Sequence, residues 1–332
     1  MRRSFAFALA ATLLSLTWLR SDVPQSDDRP GLRLAAFNVS APCCTSGALH
    51  LEQAWRLASA RGAFGGYSAL LSVTPGRLLT FSDRGYFLDF AEPGASSGGP
   101  RFGSTLPGSG AVKTNRDIEA AAWDPVTQRL WLAQEGQNAV ARYDAAMRLE
   151  ARRRVPEWQD WPSNSGVEAF VRLADGRFIA LCECRQGWFG ESRHPATIHS
   201  DDPTNAGPAE AFTFAGEDGY RPTDIAQLPD GRVLILMRRL LWPVPARFAI
   251  KVALADPAEI TPGQVWRATE IAELSPPWPV DNYEGLTIER EADGKLVAWI
   301  ISDENGAVSQ RVLLLKVGID EAALPPKQKA PG

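Results

Sequence analysis

The chain has 332 residues, 45% of them apolar and 22% charged, and its 35 basic and 39 acidic side chains leave a net charge of −4. Such a balance is that of an ordinary globular protein, which excludes a wholly disordered or coiled-coil chain and gives no reason to expect nucleic acid as a partner. Glycine (28) and proline (25) are plentiful and spread along the chain, which points to many turns between short elements.

Residues 1–25 read as a leader. Met1-Arg2-Arg3 is a basic start, and Ser4 to Leu19 is almost wholly apolar. That length suits a signal-peptide core better than a spanning helix of about 20 residues. Thr17-Trp18-Leu19-Arg20 is not a small-x-small cleavage site, so an uncleaved N-terminal anchor is the alternative. In both cases the body is expected outside the cytoplasm, periplasmic or secreted, and at a membrane only if the leader is retained. Cys43-Cys44 and Cys182-x-Cys184 fit one or two disulfides in such a compartment. Their spacing departs from that of a four-thiolate zinc site.

From residue 30 to 320 one hairpin pattern recurs. Gly66 to Leu71 and Leu78 to Asp83 flank Thr74-Pro75-Gly76. Asp117 to Trp123 is followed by Leu130 to Glu135. Val167 to Val171 and Phe178 to Glu183 flank Asp175-Gly176. Thr223 to Ala226 and Val233 to Met237 flank Asp230-Gly231. Tyr283 to Ile288 and Val297 to Asp303 flank Asp293-Gly294. Asp-Gly between apolar runs is a strong hairpin signal. A strand-built repeat of roughly 50 residues predicts an all-β propeller, one blade per repeat. Five copies are visible. A sixth blade is open, from Leu32 to Val39, Trp55 to Ala58 and Val312 to Val317; alternatively the last strand closes the ring with the N-terminal segment. Residues 321–332 read as a flexible tail.

The acids occupy repeated places. Glu119, Glu168, Asp224 and Glu284 open the first strands, with Ser68 in the first copy. Asp83, Glu135, Glu183 and Asp303 end the second strands, with Met237 in the fourth. In an antiparallel pair these ends adjoin, so a ring of blades brings all eight carboxylates to one end of the channel. Like charges opposed on a sheet are destabilising, and buried unpaired anions cost more. Ca2+, which accepts six to eight oxygens, is one compensation. Arginines such as Arg84, Arg116, Arg238 and Arg239 are another, and shared protons are a third. Among the other residues, Gly94-Ala95-Ser96-Ser97-Gly98 matches a nucleophile elbow only formally, because it sits in a small-residue loop. His50, His194 and His199 read as surface residues, and the eleven tryptophans mostly as packing between blades.

Phe81-Ser82-Asp83-Arg84-Gly85, Asp117-Ile118-Glu119-Ala120, Leu132-Ala133-Gln134-Glu135-Gly136, Val167-Glu168-Ala169, Asp281 to Leu286 and Ile301 to Asn305, taken in this order and spacing, resemble the family called esterase-like activity of phytase. The resemblance covers about residues 60 to 318. It implies an exported bacterial β-propeller and, loosely, phosphoester or carboxyester hydrolysis. Met237 stands where that family has an acid. The expected activity is therefore metal-assisted hydrolysis of a small anionic or ester substrate by a monomer, with the eight carboxylates as Ca2+ ligands and Glu119, Glu284 and Arg84 as candidate catalytic residues. The competing readings are a non-catalytic periplasmic ligand-binding or assembly propeller, and a lactonase-like propeller that uses the same ligands.

Overall fold

The structure is a computed structural model that describes residues 31–37, 44–96, 98–105, 117–185, 192–243, 246–304 and 311–327. The leader, Cys43, Ser97 and Arg116 lie outside these residues. The first strands are β1 (Arg33–Phe37), β2 (Thr45–Ser46) and β3 (Leu49–Ala58). Blade 1 follows as β4 (Tyr67–Thr74), β5 (Arg77–Ser82), β6 (Tyr86–Ala91) and β7 (Arg101–Ser104). Blade 2 is β8 (Ile118–Asp124), β9 (Arg129–Gln134), β10 (Ala139–Tyr143) and β11 (Leu149–Arg154). Blade 3 is β12 (Val167–Arg172), β13 (Phe178–Cys182), β14 (Arg193–His199) and β15 (Ala209–Ala215). Blade 4 is β16 (Arg221–Gln227), β17 (Val233–Pro243) and β18 (Ala246–Ala255). Next come β19 (Val265–Arg267), which joins β15 in parallel, and β20 (Thr269–Leu274), which completes blade 4. Blade 5 is β21 (Tyr283–Arg290), β22 (Leu296–Ser302) and β23 (Val312–Ile319).

The protein is a five-bladed β-propeller. The segments open to a sixth blade join the fifth: β3 pairs with β23, and β1 with β3. The N-terminal strands thus close the ring, and each inner strand touches the next around the circle. Helical structure among the described residues is limited to three 3-10 turns.

Five apolar clusters hold the blades, one at each interface. Ala69 and Phe81 meet Ile118 and Leu132 between blades 1 and 2, and Leu70 and Phe90 meet Trp299 and Ile301 across the closing interface. A strand packed on both faces must be apolar at every position, not alternate ones. This is why β22, Leu-Val-Ala-Trp-Ile-Ile-Ser, is buried from end to end. The expected tail is docked over its described part. Leu324 is buried, and the Pro325 carbonyl accepts from Arg232 at 2.5 Å.

One local feature positions the site. The first strand of each blade carries a bulge at its start, where one extra residue faces no partner. The bulged residues are Ser68, Glu119, Glu168, Thr223 and Glu284. A bulge re-aims its side chain. Blade 4 therefore corrects the expected alignment: Thr223, not Asp224, is the counterpart of Glu119, because Asp224 pairs with Leu236 one step inside the ladder.

Candidate active site at the acidic end of the channel

Three backbone positions per blade build the channel mouth. Two residues before each bulge stand Gly66, Asp117, Gly166, Arg221 and Asn282. Just past the second strand's ladder partner stand Asp83, Glu135, Glu183, Arg238 and Asp303. The backbone repeats with them: Asp83, Glu135, Glu183 and Asp303 each donate an N–H to the carbonyl of the matching first-position residue, at 2.8–2.9 Å. Arg238 pairs with Arg221 in the same way. At Gly66 the repeat requires glycine. Its φ is +69°, and a Cβ there would lie 2.5 Å from an Asp83 carboxylate oxygen.

Seven of the eight expected acids occupy these positions, and Asp224 does not. Its two carboxylate oxygens accept backbone N–H groups, from Ile225 at 2.8 Å and Leu286 at 2.6 Å. It is a buried tie between blades 4 and 5. Blade 2 is the most acidic sector: Asp117, Glu119 and Glu135 bring one carboxylate oxygen each within 4.8 Å of the others. Glu135 also accepts the Gly166 N–H at 2.5 Å, which links blades 2 and 3. Burial pushes Glu119 well above the usual carboxylate range, and the charges of Glu135, Asp83, Glu284 and Asp117 add to it. Glu168 is raised for the same reason, first by burial and then by Glu183, Glu119, Glu284 and Glu135. At an effective dielectric of about 20, two unit charges 4.8 Å apart repel by about 3.5 kcal/mol.

Across the mouth the compensation is an arginine. Arg238 donates to Glu183 Oε1 at 3.0 Å, and its other terminal nitrogen meets Glu284 and Asn282. Burial opposes its charge, but Glu284, Glu183 and Glu168 outweigh that and hold it protonated. Glu284 is raised by burial and partly drawn back by Arg238, and Asn282 donates to it at 2.8 Å. Arg221, half exposed, lies 3.5 Å from Glu183. Cys182 and Cys184 form a disulfide that brackets Glu183.

Two other expectations change. Arg84 gives its donors to the carbonyls of Gly62, Phe64 and Gly65, at 3.4, 2.7 and 2.8 Å, so it braces the loop before blade 1 rather than facing a substrate. His194 and His199 are buried, not at the surface. The His194 ring meets three backbone carbonyls, and burial brings His199 down to about 4. Sequence reasoning missed Asp117, Asn282 and Arg221, whereas Arg238 does compensate the acids as expected. The first two were legible as the residues two places before Glu119 and Glu284.

The opposite end of the channel is a cavity of about 760 Å³. There Arg172 pairs with Asp124 at 3.3 Å, and Glu289 accepts from the Ser72 hydroxyl and the Trp299 indole, both at 2.8 Å. Burial raises Glu92 to about 7, and the adjacent Glu289 carboxylate reinforces the shift.

Fold and site together define a β-propeller with a carboxylate-lined channel mouth closed on one side by arginine. The chain belongs to the family described as esterase-like activity of phytase (phytase-like), whose model matches residues 62–306. No curated protein sequence matches it. Similar solved structures include Myxococcus xanthus glutaminyl cyclase, at 11% identity and a TM-score of 0.47, covering 82% of this chain and 97% of that one. A nidogen/laminin complex chain, at 10% identity and 0.44, covers 87% and 99%. A streptogramin B lyase, at 10% and 0.37, covers 87% and 98%. Likenesses of this size carry nothing about chemistry.

Proposed function

We propose that the protein is an exported, metal-assisted hydrolase of a phosphate or carboxylic ester, working as a monomer at the acidic end of its channel. The observation that carries this reading is the convergence of Asp117, Glu119 and Glu135 oxygens within 4.8 Å. An all-oxygen, anionic donor set suits a hard cation, and Ca2+ fits it. Once bound, the cation supplies Lewis-acid activation and an activated water. The chain's own residues do the rest. Asp117, Glu119 and Glu135 would hold the ion. Arg221, the half-exposed arginine of the mouth, is suited to an anionic or ester oxygen. Glu168, kept toward its neutral form by burial, is suited to protonate a leaving group. Glu284, clamped by Arg238 and Asn282, is a positioning residue rather than the proton carrier. A lactonase-like activity would use the same ligands.

A second reading has its own support. Arg238 satisfies Glu183 and Glu284, as a non-catalytic binding or assembly propeller requires. A panel of aryl phosphates, carboxylic esters and lactones, assayed with added Ca2+ and with chelator, separates the two. The hydrolase reading expects turnover on at least one class, lost with chelator and reduced on the order of a hundredfold in Glu119→Gln/Glu135→Gln. A calcium-loaded protein silent on the whole panel would favour the binding reading.

A further inference from the structure

The disulfide beside the mouth joins Cys182 to Cys184, with only Glu183 between them. In the chain-entropy account a disulfide stabilises by closing a loop of the unfolded chain, and the effect grows with loop length. A loop this short gives the fold little. The fold also holds the same stretch in other ways. The Glu183 N–H donates to the Gly166 carbonyl at 2.8 Å, and the buried His194 ring meets the Cys182 and Cys184 carbonyls at 3.1 and 2.9 Å.

The two sulfurs differ in the way that thiol–disulfide exchange needs. Exchange begins when an external thiolate attacks one sulfur and expels the other. Cys184 is partly exposed, whereas Cys182 is fully buried in the apolar cluster between blades 2 and 3. Attack therefore falls on Cys184, and Cys182 is the sulfur that leaves. Its surroundings suit both forms that it then takes. The Cys184 N–H lies 3.3 Å from Cys182 Sγ, and such a donor is stronger toward a thiolate than toward a neutral sulfur. The Ser165 carbonyl lies 3.2 Å from the same sulfur. In the disulfide this sulfur has no proton to give, whereas a thiol donates there. The reduced form thus makes a contact that the oxidised form leaves unused. The residue enclosed by the bond belongs to the mouth: Glu183 meets Arg238 at 3.0 Å and Arg221 at 3.5 Å.

We propose that Cys182–Cys184 is an exchangeable disulfide at the channel mouth, opened by a small dithiol at Cys184 in the folded protein, and that it fixes Glu183 against Arg238 and Arg221 only while oxidised. The steps balance. A thiolate of the dithiol bonds to Cys184 Sγ as the Cys182–Cys184 bond breaks. The dithiol's second sulfur then displaces Cys184 and closes its own ring. The dithiol is oxidised, the cysteine pair is reduced, and the two protons given up by the dithiol end on Cys182 and Cys184. The His194 contacts hold the end of β13 throughout, so the change stays local to Glu183 and Cys184. None of this depends on which reaction the mouth performs.

The test treats the folded full chain with dithiothreitol, quenches it in acid and counts thiols in denaturant, peptide by peptide, because Cys44 is disulfide-bonded too. Cys182 and Cys184 should be found reduced while the chain remains folded, with the melting temperature lower by only a few degrees. Hydrogen exchange followed by mass spectrometry should show the Glu183 and Cys184 amides exchanging on the order of tenfold faster after reduction. Oxidised dithiothreitol should restore their protection. Cys184→Ser cannot form the bond and keeps the Cys182 thiol, so it should show the fast exchange with and without the dithiol. A pair that resists the dithiol until the chain unfolds is a structural staple, and that result overturns the proposal. Reduction that unfolds the chain does the same, as does reduction that leaves the Glu183 amide as protected as before.

Discussion

Blade 2 and blade 4 present the same three backbone positions at the channel mouth and fill them with opposite chemistry. Blade 2 has Asp117, Glu119 and Glu135; blade 4 has Arg221, Thr223 and Arg238. Their bulges and ladder ends match, so the geometry is common and the sequence alone sets the charge. The difference teaches how the propeller tolerates so many buried acids. The sector around blades 3 to 5 is neutralised from within by Arg238, whereas blade 2 concentrates oxygen donors where a cation can sit.

The largest expected effect breaks the internal neutralisation. Arg238→Ala leaves Glu183 and Glu284 buried without their shared cation, and removing one partner of such a set costs about 3–5 kcal/mol. Urea unfolding measures it. A cost below about 1 kcal/mol would mean that the acids are solvated and that the contrast between the blades carries no energy.

Asp224→Ala is the next in size. It strips acceptors from the Ile225 and Leu286 N–H groups, at a cost of about 2 kcal/mol. The calcium response should nevertheless stay intact, unlike that of any blade 2 variant. Losing the response with Asp224 alone would return that residue to the ligand set.

The smallest effect separates the two ends of the channel. Glu92 is raised from 4.5 to about 7 at the cavity end, so the folded protein holds a proton there that the unfolded chain releases. That contribution is fully present below about pH 4.5 and is lost as pH rises toward 7. Glu92→Gln, which needs no proton, should remove this part of the pH dependence, a change of about 2 °C in melting temperature across the window. An unchanged pH profile would show that burial does not hold a proton on Glu92.

The propeller was legible because turn chemistry and apolar runs repeat locally; Gly176, Gly231 and Gly294 hold φ of 95°, 93° and 91° as hairpin turns demand. The ring closure was legible only as an alternative, since nothing local ties β3 to a strand more than 200 residues away. The site was legible to within one residue. Counting outward from a turn assumes an unbroken ladder, and the bulge before Asp224 breaks it, which hid Thr223 and the equivalence of Arg238 with Glu135 and Glu183. The apolar run of β17 breaks at Arg238-Arg239, so its sequence marks Met237 as the strand end although the strand continues to Pro243. The histidines were misplaced because a polar ring can be buried where backbone carbonyls receive it, and only tertiary structure brings Tyr220 to His194.

Thermal unfolding of the wild-type chain and of Glu119→Gln/Glu135→Gln, each with chelator and with saturating Ca2+, tests the cation site most directly. Ligand at a hundredfold excess over Kd stabilises the native state by about 2.7 kcal/mol. The wild type should therefore melt several degrees higher with Ca2+ than with chelator, while the double variant should ignore both and match or exceed the metal-free wild type. A wild-type melt indifferent to Ca2+ and chelator would contradict the cation site of blade 2.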